Sequence, residues 1–497
     1  MLYWLKQSGA VSGSGHHRSF HCPPKSLAMT IISPAPNAPS TTAATGLPGG
    51  DRPDRFDVLE AWYPVAYLQD LDPQKPYRFT LLDQGLVIWW DRAGGQWRSF
   101  RDECPHRLVP LSEGRINEEG WLECPYHGWA FSGSGHCEVI PQANVQQADA
   151  AQNSPRASVR SFPTAVVQDL LFIYPGTSHR AETVPVPRIQ ALDEDPQGWV
   201  CLNTFRDLPY DAFTLMENVL DSSHIPFTHH KTVGKRENAA PVELEVTSSD
   251  RQGFVGFWAE GPRKGTLGSQ TTHFVAPNFM YHDLTSQQFG RTLTVVYATP
   301  IRRGQCRLFA RFPFKFSSAL PGRIMKLTPQ WYSHLGQNRV LEDDQIFLHY
   351  QERSLAQAGG SEQFAKAFYL PTAADRFVQA FHHWQNQYCS SPLADQPLPP
   401  LQSEEALLDR YHSHTQHCAS CRSALQRFQQ LKGLSLGLTI LTAASLPILW
   451  ILSSAAPSLL SGLAAGGIIL GSLASWRLEN FIQGFYRGTR IPPRNQG

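Results

Sequence analysis

The chain of 497 residues carries 43 Lys and Arg against 42 Asp and Glu, a net charge of +1, which excludes the strongly basic surface of a nucleic-acid binder. Apolar residues make up 41% and charged ones only 17%, so the chain is globular, less charged than an average soluble protein, and long enough for two or more cored domains. Nine cysteines without regular spacing exclude a disulfide framework and point to a reducing compartment in which thiols serve as ligands or redox groups.

Residues 1–56 form the first segment. Up to residue 50 it holds Lys6, Arg18 and Lys25 and no acid, and it ends in a Pro/Ser/Thr/Ala/Gly tract. That composition predicts a disordered basic tail, either a targeting segment or a leader ahead of a start at Met29. Order begins near Asp57, where FDVLEAWYPVAYLQDL gathers aromatic and β-branched residues. Val87–Trp90, a Gly-rich turn at 91–96 and Trp97–Phe100 read as strand, turn and strand, and Val166–Tyr174 as a closing strand. Residues 57–178 are thus expected to form a small antiparallel β domain.

Inside that domain the run CPHRLVPLSEGRINEEGWLECPYH places Cys104-x-His106 ahead of Cys124-x-x-His127. Four such residues could close a tetrahedral zinc site. Zinc fingers, however, pair Cys with Cys and His with His, whereas one of each per loop suits a [2Fe–2S] cluster with two thiolates on one iron and two imidazoles on the other. Neutral imidazoles leave the cluster less negative and raise its potential. The following GWAFSGSGHCEVIPQA supplies an aromatic strand, a Gly turn and a Pro loop to shield it. The glycines at 133–135 make a turn, and no strand is followed by a dinucleotide fingerprint, so electrons are expected from a separate protein.

Proline-rich VPVPRIQ, from Val184, links to a second unit spanning 179–400. Its pattern gives helix over Tyr210–His230, strands over Val242–Trp258, Thr292–Ile301 and Gln305–Phe316, then helix over Ile324–Ala358 and over Phe364–Tyr388 with a break at Pro371. This is an α+β domain with helices on one face of an antiparallel sheet. Glu217-Asn-Val-Leu-Asp221-Ser-Ser-His224-Ile-Pro-Phe-Thr-His229 holds two imidazoles around a proline, a carboxylate one turn earlier. A lone pair at this spacing is commonly just surface or capping histidine. Beside an iron–sulfur cluster it reads as two ligands of a mononuclear Fe(II) with open positions for O₂. The third ligand is sought in LEDDQIFLHYQER, where Asp344 is the choice over Glu342, with Asp343 the fallback, against a reading of all three as a solvated acidic face.

After SPLADQPLPPL, residues 401–432 bring Cys418 and Cys421 as a CxxC. Next to Arg422 and a helix start it reads as a reversible dithiol. With His412, His414 or His417 it would instead be half of a zinc site; inert thiols are the third option. Cys137, Cys201, Cys306 and Cys389 read as core residues. From Gly433 to Trp476 there is no Asp, Glu, Lys or Arg. With Pro447 and Pro457, this is too long for one span and right for a hairpin of two short transmembrane helices, against a buried soluble hairpin. Arg427 and Lys432 before it and Arg477, Arg487, Arg490 and Arg494 in the basic tail 477–497 put both ends on the cytoplasmic-type side.

Residues 57–430 resemble the α subunit of a Rieske non-haem iron oxygenase. Asn218-x-x-Asp221-x-x-His224-x4-His229 is similar to that family's iron motif. The resemblance implies His224, His229 and Asp344 as iron ligands and a homotrimer in which His127 of one chain passes electrons through Asp221 to His224 of the next. WYPVAYLQDL, GSGHCEVIPQA, DRYHSHTQHCASC at 409–421 and the apolar hairpin resemble, more narrowly, the membrane-anchored pheophorbide a oxygenase group, which includes chlorophyllide a oxygenase and the Rieske components of the chloroplast translocon. This implies O₂-dependent oxygenation of a chlorophyll-derived tetrapyrrole with electrons from ferredoxin. It also implies a thioredoxin target in the CxxC and a thylakoid, envelope or photosynthetic plasma membrane, with the catalytic domains on the cytoplasmic or stromal side. Two rivals are a membrane-anchored Rieske electron carrier or redox sensor without oxygenation, and an oxygenase of another lipophilic substrate. The expected fold is therefore α+β: an all-β Rieske domain, a sheet-and-helix catalytic domain, and a C-terminal two-helix transmembrane hairpin.

Overall fold

A computed structural model of the chain describes residues 55–286, 290–452 and 457–495. The expected tail up to residue 54 and the turn of the expected hairpin at 453–456 lie outside them. Alternating aromatic and β-branched residues place Gln84–Asp91 beside Gln96–Arg101 as an antiparallel pair, in which Val87, Trp89 and Phe100 are fully buried. Tyr77–Leu81 and Ser161–Phe162 complete this sheet. A second sheet orders Thr164–Val167, Leu170–Ile173 and Tyr63–Tyr67, and a third, of short strands between residues 115 and 139, carries the Cys/His loops. The single closing strand expected over Val166–Tyr174 is a hairpin: Gln168 and Asp169 both take positive φ, 50° and 68°, and this tight polar turn folds the apolar run back on itself.

The second unit is built on a seven-stranded antiparallel sheet. Its strands are Val200–Leu208 (β1), Leu244–Asp250 (β2), Gly253–Trp258 (β3), Gln270–Val275 (β4), Phe279–Ser286 (β5), Gly290–Arg302 (β6) and Gln305–Lys315 (β7), in the order β1-β7-β6-β5-β4-β3-β2. The strand expected over Val242–Trp258 is the β2–β3 pair, turning where Gly253 takes φ 132°, a region that favours glycine. Side chains alternate across β6: Val296 and Ala298 pack towards helices Ala212–Leu220 (α1) and Arg376–Tyr388, with Phe377, Phe381 and Trp384. Val295 and Tyr297 pack with Phe172 and Tyr174 of the first unit. The helix expected over Ile324–Ala358 divides at Thr328-Pro329, where proline removes a donor and opens a new helix, Gln330–Gln357 (α2). Arg376–Tyr388 is α3.

Two long helices follow, Ala419–Leu452 (α4) and Pro457–Tyr486 (α5). They run antiparallel: Lys432 pairs with Glu479 at 2.7 Å, and Ser435 Oγ donates to the Gly471 carbonyl at 3.1 Å. The helices approach closely at Gly471, where a Cβ would sit 2.1 Å from Thr439 Oγ1 and force that hydroxyl to shift. Leu434, Leu438, Leu441 and Ile451 are exposed along α4. Among the described residues one helix segment, Ala419–Ile448, is long and apolar enough to cross a membrane.

Candidate functional site

The two Cys/His loops share one hydrogen-bond pattern. Cys104 N donates to Val109 O and Leu108 N to Cys104 O, both at 2.8 Å; Cys124 N donates to Trp129 O at 2.8 Å and Gly128 N to Cys124 O at 3.2 Å. The tightening residue takes positive φ in each, 60° at Leu108 and 72° at Gly128. Both cysteines are buried. Burial above all, together with the adjoining Cys124 thiol, pushes the Cys104 thiol up to about 12. The His106 and His127 rings lie 4.6 Å apart between centroids, and His106 stacks on Trp129 at 4.7 Å. His106 Nδ1 is buried without a hydrogen-bond partner. Two adjoining buried thiols, two adjoining imidazoles and an orphaned imidazole nitrogen are a donor set that fits a two-iron cluster.

The second centre is assembled from the end of α1 and the middle of α2. α1 stops at Leu220, and Asp221 turns the chain by accepting from Ser223 N and Oγ at 2.7 and 2.6 Å. Pro226 then opens a short helix, Ile225–Thr228, that sets His224 and His229 at its two ends. Their Nε2 atoms are 3.3 Å apart, and Asp344 Oδ2 is 3.3 Å from His229 Nε2. Ligand bonds of ~2.0–2.2 Å at near-right angles put donors ~3 Å apart, so a first-row divalent ion fits among the three. Asp344 Oδ1 and His224 Nδ1 are buried without hydrogen-bond partners. Burial raises the Asp344 carboxyl despite both histidines. Burial lowers His224, but Asp221 and Asp344 outweigh it and hold the imidazole above its ordinary value.

A family described as pheophorbide a oxygenase matches residues 274–362, and one described as a Rieske [2Fe-2S] domain matches residues 61–163. The chloroplastic pheophorbide a oxygenase of Arabidopsis thaliana is 40% identical over 430 residues, 80% of this chain and 78% of that one. The chain belongs to the pheophorbide a oxygenase family. It is accordingly a Rieske non-haem iron oxygenase, with a [2Fe–2S] cluster and a mononuclear iron. The chain is also similar to the chloroplastic flavonoid 8-hydroxylase 2 of Ocimum basilicum, 33% identical over 86% of this chain and 84% of that one. The solved structure of dicamba monooxygenase bound to dicamba shares the fold, with a TM-score of 0.53 at 22% identity, over 67% of this chain and 98% of that chain.

The three acids of α2 take three different posts. Asp344 faces the Nε2 side of the histidines, while Asp343 Oδ2 lies 3.3 Å from His229 Nδ1 and accepts from Thr232 Oγ1 at 2.7 Å. Glu342 bridges Arg206 at 2.7 Å and Arg410 at 2.6 Å. All are buried, so none belongs to a solvated face. Asp221 Oδ2 stands 3.7 Å from His224 Nδ1. Sequence reasoning missed Arg494, whose Nη1 donates to the Asp343 carbonyl; its place in a basic tail gave no hint. It missed His334 as well. Cys418 and Cys421 are gathered with His414 and His334 within 4.8 Å of one another, while His412 is exposed on Asp409 and His417 packs edge-on to Tyr77. A hydrogen bond with Cys421, and then His334 and His414, hold the Cys418 thiol well below the ordinary range against burial.

Proposed function

We propose that this chain oxygenates a chlorophyll-derived tetrapyrrole of the pheophorbide a or chlorophyllide a type. The carrying observation is the convergence of His224 Nε2, His229 Nε2 and Asp344 Oδ2, which an electron carrier without oxygenation has no use for. In this reading Cys104, His106, Cys124 and His127 hold the cluster, and His224, His229 and Asp344 the mononuclear iron. When bound, these groups deliver electrons and activate O₂. The chain's own residues set the conditions. Asp343 accepts the His229 Nδ1 proton at 3.3 Å, which turns the Nε2 lone pair inward, and the Asp221 carboxylate, 3.7 Å from His224 Nδ1, sets its negative charge beside the second imidazole.

The units are 57–178 for the cluster, 179–400 for the mononuclear iron, 401–432 for the CxxC and 433–476 for a membrane hairpin. Exposed leucines on α4 and the basic residues flanking the pair support the anchor, and an apolar ring substrate partitions into the same lipid. A homotrimer places His127 against Asp221 of a neighbour, whose side chain is 28% exposed. Ferredoxin is the electron donor and a chloroplast or photosynthetic membrane the setting, on the strength of the resemblance and of relatives named as chloroplastic. The second reading is hydroxylation of a flavonoid, favoured by the 33% identity to flavonoid 8-hydroxylase 2. Turnover under ¹⁸O₂ with reduced ferredoxin and a panel of pheophorbide, chlorophyllide, protochlorophyllide and a flavone decides. Label in a tetrapyrrole product supports the first reading, label in the flavone only replaces it, and no label with about two irons per chain returns the carrier.

A further inference from the structure

The cluster at the base of α4 plays no part in the oxygenase reading. Its four residues are His334 in the second turn of α2, His414 in the turn before α4, Cys418 just ahead of α4, and Cys421 in its first turn. Each is no more than 1% exposed. The far nitrogen of each imidazole faces a backbone carbonyl of β1: His334 Nε2 lies 2.8 Å from Asn203 O, and His414 Nδ1 lies 2.6 Å from Phe205 O. A carbonyl can only accept, so these nitrogens carry the protons. The near nitrogens, His334 Nδ1 and His414 Nε2, then present bare lone pairs to one another at 3.1 Å.

The sulfurs close the figure. His414 Nε2 is 3.3 Å from Cys421 Sγ, and His334 Nδ1 is 3.5 Å from both Cys418 Sγ and Cys421 Sγ. Zinc bonds of ~2.05 Å to nitrogen and ~2.3 Å to sulfur at the tetrahedral angle give edges of ~3.3 Å for N···N and ~3.6 Å for N···S. The observed edges match within a few tenths. Facing lone pairs need a cation between them; a proton serves one pair of donors, whereas a tetrahedral ion uses all four. Backbone carbonyls on the outer nitrogens are the usual means of fixing ligating imidazoles.

We propose that His334, His414, Cys418 and Cys421 form a closed structural zinc site. Two thiolates and two imidazoles in a tetrahedron select a soft-to-borderline divalent ion, and full burial leaves no position for substrate. The site ties three elements together: α2, the turn at 411–415 and the base of α4. Because Asp344 follows His334 on the same helix ~15 Å along its axis, the ion fixes the long helix pair relative to the iron centre. Burial also keeps both thiols from a protein reductant, which sets this reading against a reversible dithiol.

The test uses the full chain in detergent, expressed with zinc and iron supplied. Elemental analysis is expected to find about one zinc per chain beside about three irons, and zinc-edge X-ray absorption two sulfur neighbours at ~2.3 Å and two nitrogens at ~2.0–2.1 Å. Cys421→Ser should lower zinc at least tenfold while the cluster's visible absorption persists. Should that variant not accumulate, wild-type protein titrated with a mercurial thiol reagent should release its zinc to a chromogenic chelator in step with two modified thiols. Zinc-free wild-type protein whose Cys418 and Cys421 form a disulfide reducible by thioredoxin overturns the proposal. So does a zinc shell of oxygen neighbours, which marks an adventitious ion only, or a fourth iron in place of zinc. None of these outcomes depends on which substrate the iron centre oxidises.

Discussion

Asp343 and Asp344 are neighbours in sequence, yet they address opposite nitrogens of one imidazole, so in the proposed iron centre substituting each to asparagine separates the ligand from its support. Asp343→Asn keeps the side chain's volume and leaves an oxygen to accept from Thr232, which now lies at 2.7 Å. What it removes is the charge facing His229 Nδ1 at 3.3 Å. A hydrogen bond to a charged group contributes ~1.5–3 kcal/mol against ~0.5–1.5 for a neutral one, so the imidazole loses about 1–1.5 kcal/mol of orientation. That corresponds to roughly tenfold weaker metal binding, the low end of the 10–100-fold seen for such outer partners. Asp344→Asn removes the anionic donor itself, and iron should not be retained. The assay is to strip the mononuclear iron with a chelator, confirm by absorption that the cluster remains, and titrate Fe(II) back without oxygen. If Asp343→Asn takes up no iron at any concentration while Asp344→Asn binds like wild type, the two roles are reversed and the reasoning fails.

Four further substitutions follow from the same geometry. His224→Ala should abolish turnover and leave the cluster's absorption and potential unchanged, whereas Asp221→Asn should retain both metals and turn over slowly; an unaltered steady-state rate for Asp221→Asn removes it from the electron path. Glu342→Gln leaves Arg206 and Arg410 buried without their shared anion, which costs about 3–5 kcal/mol and should appear as a drop in thermal midpoint of several degrees; an unshifted midpoint would show that the pair is compensated elsewhere. Burial first, and then the charge of Asp211, raise Glu352 to about 8. A carboxyl raised in the folded state contributes stability that is present below its unfolded value and is lost as pH rises through about 8. The thermal midpoint should therefore fall between about pH 5 and pH 9, and Glu352→Gln should flatten that slope; an equal slope in the variant would assign it to other groups.

Short-range chemistry was legible in the sequence. Cys104-x-His106 and Cys124-x-x-His127 lie on loops whose turns are closed by their own backbone, and His224 and His229 flank one proline, so local spacing carried the geometry. The hairpin hidden in Val166–Tyr174 was not legible, because VVQDLLFIY shows apolar residues on both sides of a two-residue turn without glycine. The strands β1, β4 and β5 were missed because their pairing is a long-range property; Gln270–Val275, for instance, alternates only against neighbours that it meets in the folded sheet. Of the histidines near the CxxC only His414 joins it. The other, His334, lies on a different element, and no spacing rule reaches it.

The helix α2 shows why its acids were open to misreading. Its inward stripe, His334, Asn338, Glu342, Gln345, His349 and Glu352, recurs at three- and four-residue intervals as an apolar stripe would, but is polar throughout and buried. A pattern rule that expects apolar residues inward assigns such a stripe to solvent. Here the partners are a strand edge and its exit: His334 meets Asn203 O, Asn338 and Glu342 meet Arg206, His349 meets Pro209 O, and Glu352 accepts from Asp211 N. The partners advance along β1 in step with the helix, so α2 is held in one register by directional contacts rather than by interchangeable methyl groups. Sliding it by one turn would break every one of these bonds at once, whereas an apolar stripe could repack. A helix so fixed holds His334 at one end and Asp344 near its middle at a constant separation, which is what the proposed zinc and iron sites would require of the element they share.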